Sequence, residues 1–376
     1  MHQPPAPEYS PEFCVWETTL ACNLSCRHCG SSAGKARANE LDTAEALALI
    51  DALASLGTRE ITFSGGEFIV RQDWRLLLAR AKALGVASLL VSNGLAITRE
   101  VADELARQDV GSVSLSVDGS PPVHDRLRPL NKLHALEFSG PCGAEGPSSH
   151  EQLSHAAENL RAAGVTVSAI TQVSKNNLAE LPAIEEFLVA AGIDGWQIQM
   201  TNAMGRSTRS AGEHAIQILD PTDVPTLYAH VRRVQREGRV RCLAADCLGY
   251  FGPDEPLLRS VERPGDNFWQ GCQAGMRVLG ITSDGGIKGC LSMTDTFLEG
   301  NLRERPLHEI WSDRSAFAYN RRFDEATLTG GCSGCAFGKL CRAGCRSFAA
   351  TAQDGDISRY DYCIRLQDAA TTPSAQ

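Results

Sequence analysis

Cys22, Cys26 and Cys29 stand in TTLACNLSCRHCGSSAG with three and then two residues between them. Thiols crowded on one short loop bind metal as thiolates. Four of them would close a tetrahedral zinc site, whereas three can hold three irons of a 4Fe-4S cubane and leave the fourth iron open to another molecule. Paired cysteine knuckles with a second pair nearby are also a zinc signature. Spacing alone therefore leaves both metals open, and favours iron–sulfur.

A second group lies toward the C-terminus. Cys272 and Cys290 flank GCQAGMRVLGITSDGGIKGC, GGCSGCAFGKLCRAGC carries Cys332, Cys335, Cys341 and Cys345, and YDYC ends at Cys363. Of the fourteen cysteines this leaves Cys14, Cys142, Cys242 and Cys247. The opening MHQPPAPEYSPEF has no charged n-region followed by an apolar stretch, so no signal peptide is expected. No apolar run nears the roughly 18 residues of a membrane span. A cytoplasmic chain is the expectation, and in a reducing compartment clustered thiols serve metal rather than disulfides. A net charge of −9 argues against nucleic acid or an anionic membrane as partner.

The elements that must position these thiols follow from the hydrophobic pattern. FCVWETTL, ITFSGGEF, LLVSNGL, SVSLSVDGS, VTVSAITQVSK and DGWQIQMTNAMGR read as six strands. Between them, TAEALALIDALASLG and DWRLLLARAKALG show apolar spacings of three and four and end in glycine, as helices do. Alternating strand and helix predicts an α/β fold, a partial (β/α)6 barrel of TIM type, with ligands at the C-terminal ends of its strands. Gly65, Gly66 and Glu67, Asn93, and Ser116 with Asp118 all fall at such ends. Glycines there let backbone approach a ligand closely, and a carboxylate suits an ammonium group. The bland alternative is a strand end satisfied by its own polar residues. Residues 129–150, rich in Gly, Pro and Ser, break the rhythm and are expected to form a lid that includes Cys142.

The Cys22-x3-Cys26-x2-Cys29 loop after a strand, with GGE some forty residues on, resembles the radical S-adenosylmethionine superfamily. The resemblance implies that Cys22, Cys26 and Cys29 hold a 4Fe-4S cluster whose open iron is chelated by S-adenosylmethionine. The missing fourth ligand is then the cosubstrate, cleaved reductively to a 5′-deoxyadenosyl radical that abstracts hydrogen. It also implies cosubstrate contacts at Gly65, Gly66, Glu67, Asn93, Ser116 and Asp118, with Arg128 and Arg126 toward the carboxylate.

The later cysteines resemble the SPASM domain, a small α+β unit with two auxiliary 4Fe-4S clusters. On that pattern Cys332, Cys335, Cys341 and Cys363 hold an outer cluster, and Cys272, Cys290 and Cys345 an inner one that is one ligand short. Either its iron is open to substrate or another residue closes it, with Cys247 first and Asp246 or Cys242 as alternatives. Asp246 and Cys247 are thus the catalytic-site candidates of RCLAADCLGYFG. The expected organisation is a flexible 1–12, a barrel over 13–235, a bridging region and SPASM domain over 236–365, and a flexible 366–376.

SPASM-bearing relatives mostly modify ribosomally made peptides, forming thioether, carbon–carbon or carbon–oxygen links. Formylglycine formation is disfavoured, because Leu291 stands where those relatives place an acidic base. The first strand starts within about a dozen residues, so a peptide substrate is expected to need a separate recognition protein or direct recognition in the barrel. A flavodoxin or ferredoxin is the expected reductant. Two other readings stand beside this one: a radical enzyme acting on a small molecule such as a tetrapyrrole, and a non-catalytic iron–sulfur or zinc scaffold. Glu17 and Arg206 point toward the cavity on the barrel reading, each as a substrate contact or half of an ion pair.

Overall fold

β1 (Phe13–Glu17) has a parallel neighbour on each side, β2 (Glu60–Ser64) and β8 (Val278–Ile281). A computed structural model describes residues 9–131, 148–259 and 268–371. Cys142 and residues 132–147 of the expected lid lie outside the described residues. From β2 the parallel sheet continues through β3 (Ala87–Ser92), β4 (Ser112–Ser116), β5 (Thr166–Val173), β6 (Gly195–Met200) and β7 (Arg241–Ala244). On the other side of β1, β8 carries the antiparallel β9 (Gly286–Lys288) and β10 (Gly300–Asn301). The order is β10-β9-β8-β1-β2-β3-β4-β5-β6-β7, so β7 and β10 are edges and the barrel is open.

All six strands read from the sequence are present, and β7 and β8 lengthen the parallel run at both ends. β5 shows why period two is legible: Val167, Ala169, Thr171 and Val173 are buried and the residues between them are less so. The buried face takes the helices α1 (Thr43–Ser55), α2 (Trp74–Ala83), α3 (Arg99–Arg107), α4 (Pro121–Leu127), α5 (Ser149–Ala162), α6 (Leu181–Ala191) and α7 (Val224–Glu237).

α1 begins where Asp42 and Glu45 cap one another's backbone amides, and it buries Ala46, Leu49, Ile50 and Leu53, one helical stripe. Each buried leucine or isoleucine contributes about 2 kcal/mol. Trp16, Phe63, Phe68 and Trp74 continue the core with ring centroids 5.9, 4.7 and 6.4 Å apart in succession. This packing fixes the ends of β1 and β2, where the first cysteine loop departs. Among the described residues, no helix is long and apolar enough to cross a membrane.

Candidate active site

The chain leaves β1 and folds residues 18–34 into a loop closed at its base, with Cys22 N–H donating to Gly34 O at 3.1 Å and Gly34 N–H to Leu20 O at 2.7 Å. The segment after α4 lies along it: Ser25 N–H donates to Pro129 O at 2.8 Å, Arg27 N–H to Leu127 O at 2.9 Å and Asn131 N–H to Asn23 O at 2.9 Å. Arg206, after β6, straps the far side. Its Nε donates to Cys26 O at 2.7 Å, its Nη1 to Ala33 O at 2.5 Å, and its amide to Cys29 O at 2.9 Å.

Every sulfur of this loop receives an N–H. Leu24 N lies 3.4 Å and Asn93 Nδ2 3.7 Å from Cys22 Sγ, Arg128 Nη1 3.6 Å from Cys26 Sγ, and Ala33 N 3.3 Å from Cys29 Sγ. Such donors favour the thiolate and tune a metal bound to it. Burial works the other way, pushing the Cys22 thiol well up and the Cys26 thiol up to about 11. Bound positive charge in place of the protons resolves that opposition. The donor set therefore fits a cationic cluster.

Gly65 and Gly66 are required by close approach. Gly66 N–H donates to Thr19 O at 2.7 Å and Glu67 N–H to Ala21 O at 2.9 Å, so GGE runs against the entry of the cysteine loop. A Cβ on Gly66 would collide with the Ala21 carbonyl, and Gly65 has φ +133° with the Thr19 carbonyl equally close. The Glu67 carboxylate is buried and accepts from Ser92 Oγ at 3.1 Å and from Asn93 N–H at 2.8 Å. Burial pushes it up to about 7. Asn93 Nδ2 also donates to Asn23 Oδ1 at 2.7 Å, which joins the end of β3 to the cysteine loop.

Asp118, fully buried after β4, lies 2.5 Å from Arg128 Nε and 3.0 Å from His28 Nε2. Burial opposes its charge, but Arg128 and His28 beside it hold the carboxyl well below the carboxylate range. A chain of contacts thus runs from His28 through Asp118 and Arg128 to Cys26 Sγ. Ser116 is buried at the end of β4, and Arg126 is exposed. Glu17 takes the structural alternative, an ion pair with Arg37 at 3.1 Å and bonds from Ser283. Arg206 takes the structural role, holding backbone carbonyls of the loop.

The C-terminal cysteines form two groups. Cys332, Cys335, Cys341 and Cys363 line one cavity of about 350 Å³ beside the stacked rings of Phe251 and Phe337. Burial pushes Cys341 up to about 12 and Cys363 up to about 11, and the neighbouring cysteines add to both. Cys272, Cys290 and Cys345 make the other group: burial lifts Cys345, and the charges of Cys272, Cys247 and Asp246 lift it further. Cys242 is apart from them, packed in the main core with Glu185 as its charged neighbour. Among the described residues, no three His, Cys, Asp or Glu side chains close around a single-ion position.

Residues 16–188 match the radical SAM superfamily, and residues 272–336 match SPASM, an iron–sulfur cluster-binding domain. The mycofactocin maturase MftC of Mycobacterium tuberculosis is 31% identical over 89% of this chain and 78% of its own length. This chain belongs to the radical SAM superfamily. An AdoMet-dependent heme synthase of Methanosarcina barkeri is 29% identical over 94% of this chain and 97% of its own. The fold is that of Streptococcus suis SuiB bound to S-adenosylmethionine, with TM-score 0.67, 17% identity, and 94% of this chain and 76% of that one covered. The protein is a radical SAM enzyme of iron–sulfur and S-adenosylmethionine chemistry.

Within this radical SAM site, sequence reasoning passed over three groups. His28, between Cys26 and Cys29, has no role in the sequence reading, yet it pairs with Asp118. Asn23 meets Asn93. Tyr250 joins the turn at Asp246 to Cys345. A histidine inside a metal-binding loop was the one available signal among the three.

Proposed function

We propose that this radical SAM/SPASM enzyme abstracts hydrogen from a residue of a ribosomally made peptide, leaving a thioether, carbon–carbon or carbon–oxygen cross-link. The observation that carries this reading is the likeness to MftC, a maturase, over 89% of the chain. In it, Cys22, Cys26 and Cys29 hold the cluster that takes S-adenosylmethionine, and the cysteine groups near the C-terminus hold two more. That cluster, when bound, supplies the electron that cleaves the sulfonium.

The chain's own residues do the positioning. Arg206 and the Pro129 segment keep the loop closed, and Asn93, Arg128 and two backbone amides hold the sulfurs. Gly65, Gly66, Glu67, Asn93, Ser116, Asp118 and Arg128 border the cosubstrate. The loop, GGE, Asn93 and Asp118 follow β1 to β4, while Asp246 and Cys247 follow β7, all at carboxyl ends of parallel strands. A substrate at that mouth lies between radical generation and an auxiliary electron acceptor. A flavodoxin or ferredoxin supplies electrons, and a separate protein presents the peptide.

A second reading, a tetrapyrrole as substrate, is favoured by the likeness to the heme synthase over nearly the full length of both chains. Anaerobically reconstituted enzyme with dithionite and S-adenosylmethionine separates the two. Short peptides encoded beside the gene should lose hydrogens in the mass spectrum with formation of 5′-deoxyadenosine, and the Cys22/Cys26/Cys29 triple-alanine variant should do neither. Conversion of an iron porphyrin with every such peptide unchanged would replace the first reading by the second.

A further inference from the structure

Glutamines stand at three of the positions that β5 and β6 turn away from their helices. Thr171 and Trp196 fix the opposite face: Trp196 Nε1 donates to Thr171 Oγ1 at 2.8 Å, and the Trp196 ring lies 5.9 Å from that of His230 on α7. By the alternation of a strand, Gln172, Gln197 and Gln199 take the concave face of the open barrel, where they are half-buried. Gln172 and Gln199 are register partners across the two parallel strands, and Gln197 Nε2 donates to Gln199 Oε1 at 3.3 Å. Three side-chain amides thus form one patch.

The patch adjoins the carboxylate that follows β4. Gln172 N–H donates to Asp118 Oδ1 at 2.9 Å, and Asn177 Nδ2 donates to both Asp118 O and Gln172 O at 2.9 Å. Among the described residues, the Gln172 side-chain amide has no hydrogen-bond partner, nor do Gln197 Oε1 and Gln199 Nε2. Charge decides what such a patch can hold. On the concave face β4, β5 and β6 carry no Asp, Glu, Lys or Arg; the polar groups there are hydroxyls and amides, with Ser114 Oγ and Ser168 Oγ joined at 2.7 Å. The carboxylates of a tetrapyrrole call for cationic partners when taken out of water. A glutamine amide instead presents an acceptor beside two donors, the complement of a peptide unit with its N–H and C=O.

We propose that Gln172, Gln197 and Gln199 hold the main chain of the peptide substrate beside Asp118, so that this wall of the barrel recognises amides rather than side-chain charge. This deepens the peptide reading above and rests on it.

The test uses the full, anaerobically reconstituted chain and a peptide encoded beside the gene that the parent modifies, with iron per chain as the check on folding. In Gln172→Leu/Gln199→Leu, loss of two hydrogen bonds should raise KM for that peptide about 10–30-fold, with kcat changed less. The same peptide N-methylated at the main-chain amides flanking the modified residue should lose as much against the parent and little more against the variant, as coupled partners do. An unchanged KM in the variant, with the peptide still modified, overturns the glutamine recognition alone, and so do losses that simply add. No peptide modified, with or without conversion of an iron porphyrin, overturns the peptide reading together with it. If the double variant does not keep its iron, Gln199→Leu decides.

Discussion

Arg206 Nε donates to the Cys26 carbonyl at 2.7 Å, joining residues 180 apart in sequence. The same guanidinium holds Ala33 O, so the side chain after β6 fixes the curvature of a loop that departs from β1. Removing it leaves two loop carbonyls without these donors, at about 1 kcal/mol each. Arg206→Ala should lose about four irons, one cubane, during gel filtration while the auxiliary signals persist. Iron analysis with EPR checks this, and equal loss from all clusters would contradict the strap.

Gly66→Ala places a methyl group against the Ala21 carbonyl, in backbone rather than beside a movable side chain. The expected cost is about 3 kcal/mol, of the size of other buried steric errors. Urea unfolding of variant and parent measures it. Cleavage of S-adenosylmethionine should fall with it, because the displaced backbone belongs to the cysteine loop.

Arg128→Met leaves the Asp118 charge buried with only the imidazoles of His28 and His124 beside it among the described residues. Breaking a buried pair from one side costs about 3–5 kcal/mol. The double variant Arg128→Met/Asp118→Asn should unfold at higher urea than Arg128→Met. An additive double variant would show that the pair is not coupled.

Glu67 sets a pH dependence of definite sign. Its carboxyl is pushed from 4.5 up to about 7 in the fold, so between those values the folded chain holds a proton that the unfolded chain releases. Stability from this group is therefore present below pH 4.5 and lost as pH rises to about 7, by about 3 kcal/mol at 1.36 kcal/mol per pH unit. Urea midpoints at pH 5 and pH 8 should converge in Glu67→Gln relative to the parent. An equal pH difference in both proteins would remove Glu67 as its source.

Legibility in the sequence followed the range of the forces involved. The six strands could be read because each alternates over its own few residues, and the helix faces because their period is local. β7 was missed: four residues, RCLA, with two exposed, carry too little pattern. The pairing of β8 with β1 had no local signal, since the partners are joined only through tertiary contact. GGE was visible as a motif, but the reason for its glycines, the carbonyls of Thr19 and Ala21, lies across the sheet. The SPASM resemblance put Cys332, Cys335, Cys341 and Cys363 together, and these four line one cavity.

The parallel pairing of β1 with β8 also orders events in time. Phe13 N–H meets Arg277 O at 3.0 Å, and Glu12 pairs with Arg277 across 265 residues. At about 5–20 residues per second of synthesis, that interval is on the order of tens of seconds. Throughout it, one edge of the strand that launches the cysteine loop is unpaired, and the loop acquires its final frame only when the C-terminal segment reaches it. Nascent chains halted before residue 278 expose that edge and have no way to close it from within.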